Sequence, residues 1–208
     1  MTPRFISLEG GDGSGKSTQI KRLVAALKKH GMAAIATREP GGSPGAEQIR
    51  DLVVNGPPQR WDVMTETLLM FAARSDHVAR TIKPALAAGK WVVSDRFADS
   101  TYAYQGAGGG MARETIRRME TLVLGDFRPD LTLILDLPIE VGLARAGGRS
   151  HAESRFEKMG AEFQARLRQA FLDIARRDPA RCVVIDAAQD EGAVAAAIWN
   201  AAAKRFKL

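Results

Sequence analysis

Gly10-Gly11-Asp12-Gly13-Ser14-Gly15-Lys16-Ser17 stands between a short apolar run, residues 5–8, and a segment where Ile20, Leu23, Val24 and Leu27 recur at the spacing of one helix face. The octet fits GxxxxGK[ST] in the strand, loop and helix setting that gives this pattern its meaning. Glycines leave backbone N–H groups bare and tolerate positive φ, so successive amides turn inward on an anion, and the helix that follows adds the partial positive charge of its N-terminus. A lysine at this place neutralises β and γ phosphates, and the next hydroxyl is a hard oxygen ligand for Mg²⁺. The expected triphosphate site is therefore Gly10, Gly11, Asp12, Gly13, Ser14, Gly15, Lys16, Ser17 and Thr18, with a nucleoside triphosphate as ligand and Ser17 on the metal.

Outward from this loop the chain alternates. Apolar, β-type runs at residues 5–8, 33–37, 91–94, 131–135 and 182–185 are each followed by a helical pattern. Gly31 is placed to cap the first helix, and further helical stretches lie at residues 46–54, 65–88, 112–124, 139–146, 155–177 and 191–206, with Pro84 interrupting the long one. Strands alternating with helices require right-handed crossovers and a parallel sheet covered on both faces. The fold class is α/β, a three-layer sandwich around a five-stranded parallel sheet of the P-loop nucleotide-kinase type. Ligands of such sheets sit at the carboxyl ends of the strands. There the sequence places Glu9-Gly10, Arg38-Glu39-Pro40-Gly41-Gly42, Asp95-Arg96, Asp136 and Asp186.

At 208 residues the chain is read as a single domain, residues 1–208. Its longest apolar runs are far shorter than the roughly 20 residues of a membrane span, so no membrane association is expected. The amino terminus shows no apolar signal region, and the expected location is cytoplasmic. The single Cys182 lies in a strand-like run and reads as a core residue. The net charge is +6, and 21 of the 30 cations are arginine, whose planar fork matches phosphate oxygens two at a time. The cations are interleaved with acids along the chain, with no basic tail, which argues against a nucleic-acid binder. No NKxD run is present to read guanine, and His30, His77 and His151, in no metal-like spacing, are expected at the surface.

Three further segments, Arg38-Glu39-Pro40-Gly41-Gly42, Asp95-Arg96-Phe97-Ala98-Asp99-Ser100 with Ala103-Tyr104-Gln105, and Asp126-Phe127-Arg128-Pro129-Asp130-Leu131, resemble in order and spacing segments of bacterial thymidylate kinases. With the phosphate loop the resemblance runs from Phe5 to about Ile185. It implies transfer of the γ-phosphoryl group of ATP to the 5′-phosphate of dTMP, giving dTDP and ADP on the path to dTTP. Donor and acceptor are both anionic, so such catalysis consists largely of positioning and charge neutralisation. The resemblance makes Asp12, Lys16 and Arg96 catalytic. It assigns the acceptor phosphate to Arg38 and Arg96, the thymine carbonyl edge to Arg74, and the sugar hydroxyl and phosphates to Asp12. It has Ser100, Thr101, Tyr104 and Gln105 line the acceptor pocket, with Tyr104 excluding a ribose 2′-hydroxyl, and Asp95 joining Ser17 in the Mg²⁺ shell.

The sequence departs from the family pattern in two places. Where the family stacks phenylalanine on thymine this chain has Met70, with Phe71 rotated by about 100° onto the next helix face; either is open, and Phe71 is preferred. No arginine follows the acid in the phosphate loop, where Gly13 stands. The resemblance therefore assigns transition-state charge to a mobile lid at about residues 145–157, through Arg149 or Arg155. A homodimer through the stretch 65–88 is also implied. The alternatives are another nucleoside monophosphate kinase, acting on AMP, GMP or CMP, a deoxynucleoside kinase whose acceptor lacks phosphate, and a regulatory P-loop ATP sensor without turnover.

Overall fold

A computed structural model describes residues 2–57, 59–142, 156 and 159–208. The element order is β1 (Phe5–Glu9), α1 (Lys16–Lys29), β2 (Ala34–Arg38), α2 (Pro44–Val54), α3 (Val63–His77), a π-helical turn (Val78–Ile82), α4 (Lys83–Ala87), β3 (Trp91–Asp95), α5 (Ala98–Thr101), a second π-helical segment (Tyr102–Gly108), α6 (Arg113–Leu124), β4 (Leu131–Asp136), α7 (Gly160–Arg177), β5 (Cys182–Asp186) and α8 (Glu191–Phe206). All pairings are parallel, in the order β2-β3-β1-β4-β5. The sheet reverses direction of growth beside β1, so the crevice beyond β1 and β3 is where this class binds its ligand.

Alternation along the strands divides the core. Ile6, Leu8, Val93, Leu131, Leu133 and Leu135 face α1 and α8 and meet Ile20, Leu23, Leu27, Val194 and Ile198. Phe5 and Val92 point the other way onto Val78, Ile82, Phe97 and Leu124, and Ile134 and Cys182 meet Phe163, Leu167 and Phe171 of α7. Cys182 is buried as expected, and burial pushes its thiol up to about 12. On the α7 side the strands also carry polar residues, and these are paired. Ser7 and Thr132, opposite each other in the β1–β4 register, share a 2.9 Å hydrogen bond. Asp99 of α5 takes both Nη1 and Nη2 of Arg181, at 2.5 and 3.0 Å, while Arg181 Nη1 also donates to Thr132 at 2.6 Å. This network ties α5, β4 and the entrance to β5.

Each strand runs one residue beyond the apolar run that signals it, so Glu9, Arg38, Asp95, Asp136 and Asp186 end the strands. The stretch expected at 65–88 is helical as far as Ala87, yet its register widens at Val78–Ile82, leaving Pro84 in the first turn of α4 where its missing N–H breaks no bond. It begins at Val63 because Asp62 caps it, accepting from Met64 N at 2.9 Å and Thr65 N at 3.0 Å. The helical turns at 98–108 have no apolar periodicity and escaped the sequence reading. Gly31, at φ 79°, closes α1. Among the described residues no helix is long and apolar enough to cross a membrane.

The buried Asp99–Arg181 pair and the exposed Arg117–Glu114 pair separate two energetic regimes. Asp99→Ala leaves the largely buried guanidinium of Arg181 with only Asp178 and Thr132 as partners among the described residues and is expected to lower unfolding free energy by about 3 kcal/mol. Glu114→Ala is expected to cost less than about 1 kcal/mol. Urea midpoints at unchanged slope measure both.

Candidate active site

The turn from β1 into α1 is shaped by its glycines. Gly10 has φ 134° and a Cβ there would lie 2.5 Å from the Leu135 carbonyl oxygen; at Gly13, φ 79°, it would lie 2.3 Å from the Gly142 carbonyl oxygen. No other residue fits either place. Within the loop Lys16 Nζ donates to the carbonyls of Gly10 at 3.1 Å and Gly11 at 2.8 Å. Burial first, then the neighbouring Arg96, lower the Lys16 ammonium to about 8. Ser17 Oγ donates to Asp95 Oδ2 at 2.9 Å.

Arg96 follows β3 with φ 68°, an uncommon conformation for a residue with a side chain. Its N–H donates to Leu8 O at 2.9 Å. Its guanidinium donates to Gly10 O at 2.9 Å, Ser100 Oγ at 3.3 Å and Asp12 Oδ1 at 2.8 Å, and lies 4.8 Å from the centre of the Tyr104 ring. The Tyr104 hydroxyl stands 3.5 Å from Asp12 Oδ2, and burial raises its pKa. Beneath them Glu9 is fully buried, accepts from Phe97 N at 2.7 Å and Ser100 Oγ at 2.6 Å, and is pushed up to about 8 by burial and by Asp99.

These groups open on a cavity of about 770 Å³. Of the sequence-predicted residues, Asp12, Gly13, Gly15, Lys16, Ser17, Thr18, Arg38, Met70, Arg74, Asp95, Arg96, Ser100, Thr101, Tyr104 and Gln105 line it. Gly10, Gly11 and Ser14 stand behind the wall, Gly10 through the carbonyl shared by Lys16 and Arg96. Phe71, preferred from the sequence, does not line the cavity: it is buried beneath the Arg74 guanidinium at 5.0 Å, whereas Met70 lines the cavity, because the helix presents residue 70 to this side. Arg149 and Arg155 lie outside the described residues, as does His151.

A second correction concerns His77, expected at the surface. It is wholly buried, with Nδ1 3.0 Å from Glu39 Oε1 and Nε2 2.6 Å from Thr37 Oγ1. Glu39 also takes Arg74 Nε at 2.7 Å, and the remaining Arg74 nitrogens donate to Thr101 Oγ1 and the Phe97 carbonyl, each at 3.1 Å. Residues 67, 71, 74, 77 and 78 lie on the buried side of α3 and its continuation. Polar groups on such a side signal a buried network.

Arg50 was missed. It lies one turn after buried Ala46 and one before buried Val53 on α2, lines the cavity and donates to Pro40 O at 2.7 Å. An arginine on the covered face of a helix is the signal. Burial first, then Arg38, lower its pKa. Arg38 itself is half exposed at the rim, paired with Glu47 at 2.9 Å. Against burial, the Gly42 N–H and Arg38 hold the Glu47 carboxyl below the usual range. Asp136 and Asp186 do not join the site: Asp136 grips Arg168 at 2.7 and 2.9 Å, and Asp186 accepts from Ala188 N at 2.9 Å.

The architecture is that of a P-loop phosphotransferase, with a phosphate cradle and several arginines lining one cavity. The model of the thymidylate kinase family matches residues 8–198. A thymidylate kinase of Caulobacter vibrioides is 58% identical over 204 residues, covering 98% of each chain. One from Jannaschia sp. is 52% identical over 206 residues, covering 99% of each. The crystal structure of thymidylate kinase from Ehrlichia chaffeensis superposes with TM-score 0.77 at 34% identity, covering 97% of this chain and 99% of that one. The chain belongs to the thymidylate kinase family.

Lys16 furnishes a pH test. A lysine lowered to about 8 regains its ordinary pKa against triphosphate, so ATP binding at pH 8 should draw in up to about half a proton. Calorimetry in buffers of different ionisation heat measures the uptake, which should disappear in Lys16→Arg. ATP affinity should hold at lower pH and decline above pH 8.

Proposed function

We infer that this chain transfers the γ-phosphoryl group of ATP to the 5′-phosphate of dTMP, yielding dTDP and ADP. The observation that carries the reading is the gathering of cations around one cavity, which Lys16, Arg38, Arg50, Arg74 and Arg96 all line and where like charges repel one another. Anions at both ends relieve that repulsion. The phosphate loop with Lys16 takes ATP, while Arg38 and Arg96 take the acceptor phosphate. An acceptor phosphate oxygen then attacks the γ-phosphorus as the bond to the β-bridging oxygen breaks, and no base is needed because the acceptor is already anionic. Arg96 and Lys16 stabilise charge spreading over the transferred group.

Asp12, fixed by Arg96, faces the deoxyribose, and Tyr104 closes the wall where a 2′-hydroxyl would lie. Met70 packs against the base through its thioether. The paired oxygens of Ser17 and Asp95 suit Mg²⁺, which keeps most of its shell for water and phosphate. When bound, that ion neutralises the β and γ oxygens. Leu68 of α3 and Leu122 of α6 are 53% and 86% exposed; a second copy of the chain covers them in the homodimer we propose. Sedimentation should give twice the 22.5 kDa chain mass. The proposed setting is the cytoplasm.

ATP with a panel of monophosphates tests the assignment: dTMP should far exceed AMP, GMP and dCMP, and equal rates with dCMP would sink it. Lys16→Ala and Arg96→Ala should each reduce kcat/KM for dTMP by roughly 10² or more, as for loss of one preorganised donor. A tenfold or smaller loss would remove Arg96 from the reacting centre.

A further inference from the structure

Glu66, Met70 and Arg74 follow one another along a single stripe of α3, four residues apart. Met70 and Arg74 line the cavity. Glu66 is buried one layer behind, where its Oε1 takes the side-chain Nε2 of Gln105 at 2.7 Å. Gln105, carried by the π-helical segment, is itself buried and lines the cavity. A carboxylate only accepts, so the amide of Gln105 has one orientation open to it: NH₂ toward Glu66, carbonyl oxygen the other way. That oxygen has no partner among the described residues.

We propose that Glu66 is a positioning residue for base selection, fixing the Gln105 amide so that an acceptor, not a donor, meets the edge of the incoming base. The proposal rests on the dTMP reading above and deepens it. Thymine and uracil offer N3–H to such an acceptor. Cytosine offers a lone pair at N3, and two lone pairs facing each other leave a buried polar group unsatisfied. The Arg74 guanidinium beside it supplies donors, which suit a carbonyl at position 4 and oppose an amino group. Gln105 could satisfy either base if its amide were free to turn over. Glu66 removes that freedom.

The experiment uses the whole enzyme with ATP and dTMP, dUMP or dCMP. In Glu66→Gln the carboxamide at position 66 can donate as well as accept, so both orientations of Gln105 become accessible. KM for dTMP should rise roughly three- to tenfold with kcat within about twofold, and the dCMP-to-dTMP ratio of kcat/KM should rise about tenfold. Because Arg74 still opposes an amino group, dTMP should stay preferred. The dUMP-to-dTMP ratio should not move, since both bases present the same N3–H. Should Glu66→Gln fold poorly by its melting midpoint with ATP, Glu66→Asp, which draws the carboxylate back by one methylene, is expected to shift the ratios the same way. A folded variant whose dCMP-to-dTMP ratio stays within twofold of the wild type, or that loses kcat equally on all three, overturns the role of Glu66. A wild-type enzyme inactive on dTMP would overturn the functional reading instead.

Discussion

One guanidinium joins the strand end, the phosphate loop and the acceptor pocket. Arg96 reaches Gly10 O, Ser100 Oγ and Asp12 from a backbone at φ 68°, a conformation that persists because the Leu8 carbonyl and the buried Glu9 hold the chain on either side. The need for it is electrostatic. Two like unit charges 4 Å apart repel by about 4 kcal/mol at the effective dielectric of a partly enclosed site, and the two substrates each bring more than one charge. Cations fixed in place before the substrates arrive remove that barrier without reorganisation.

Acids space the cations, Asp12 from the cavity wall and Glu39, Glu66 and Asp99 from buried positions. Asp12 pairs with Arg96, Glu39 with Arg74 and His77, Glu66 with Gln105, and Asp99 with Arg181. Removing either partner of a buried pair such as Arg74–Glu39, whose side chains are 2% and 4% exposed, typically costs about 3–5 kcal/mol, because a charge is left uncompensated. The pocket's shape and its stability therefore rest on the same contacts. Glycine enters at the same level: a Cβ on Gly42 would lie 2.4 Å from His77 Nε2 and 2.5 Å from Thr37 Oγ1.

The five strands, their parallel direction and the location of the phosphate loop were legible because apolar runs, their alternation with helices and glycine spacing are local signals. Arg38 and Arg96 were legible because strand ends in this fold class converge. What escaped was set by tertiary packing. Whether residue 70 or 71 of α3 faces the cavity depends on a rotation of about 100°, which the helix settles only by docking Phe71 under Arg74. His77 was read as a surface residue because spacing alone does not tell which helix face is covered, and Arg50 was passed over for the same reason. The π-helical segment that carries Gln105 has neither of the ordinary periodicities.

The most direct measurement is a crystal structure with dTMP and a non-hydrolysable ATP analogue bound together. Lys16 is expected on the triphosphate, and the guanidinium groups of Arg38 and Arg96 within about 3 Å of the dTMP phosphate oxygens, with the two phosphate chains meeting end to end. Arg38 and Arg96 turned away from the second nucleotide would contradict this placement.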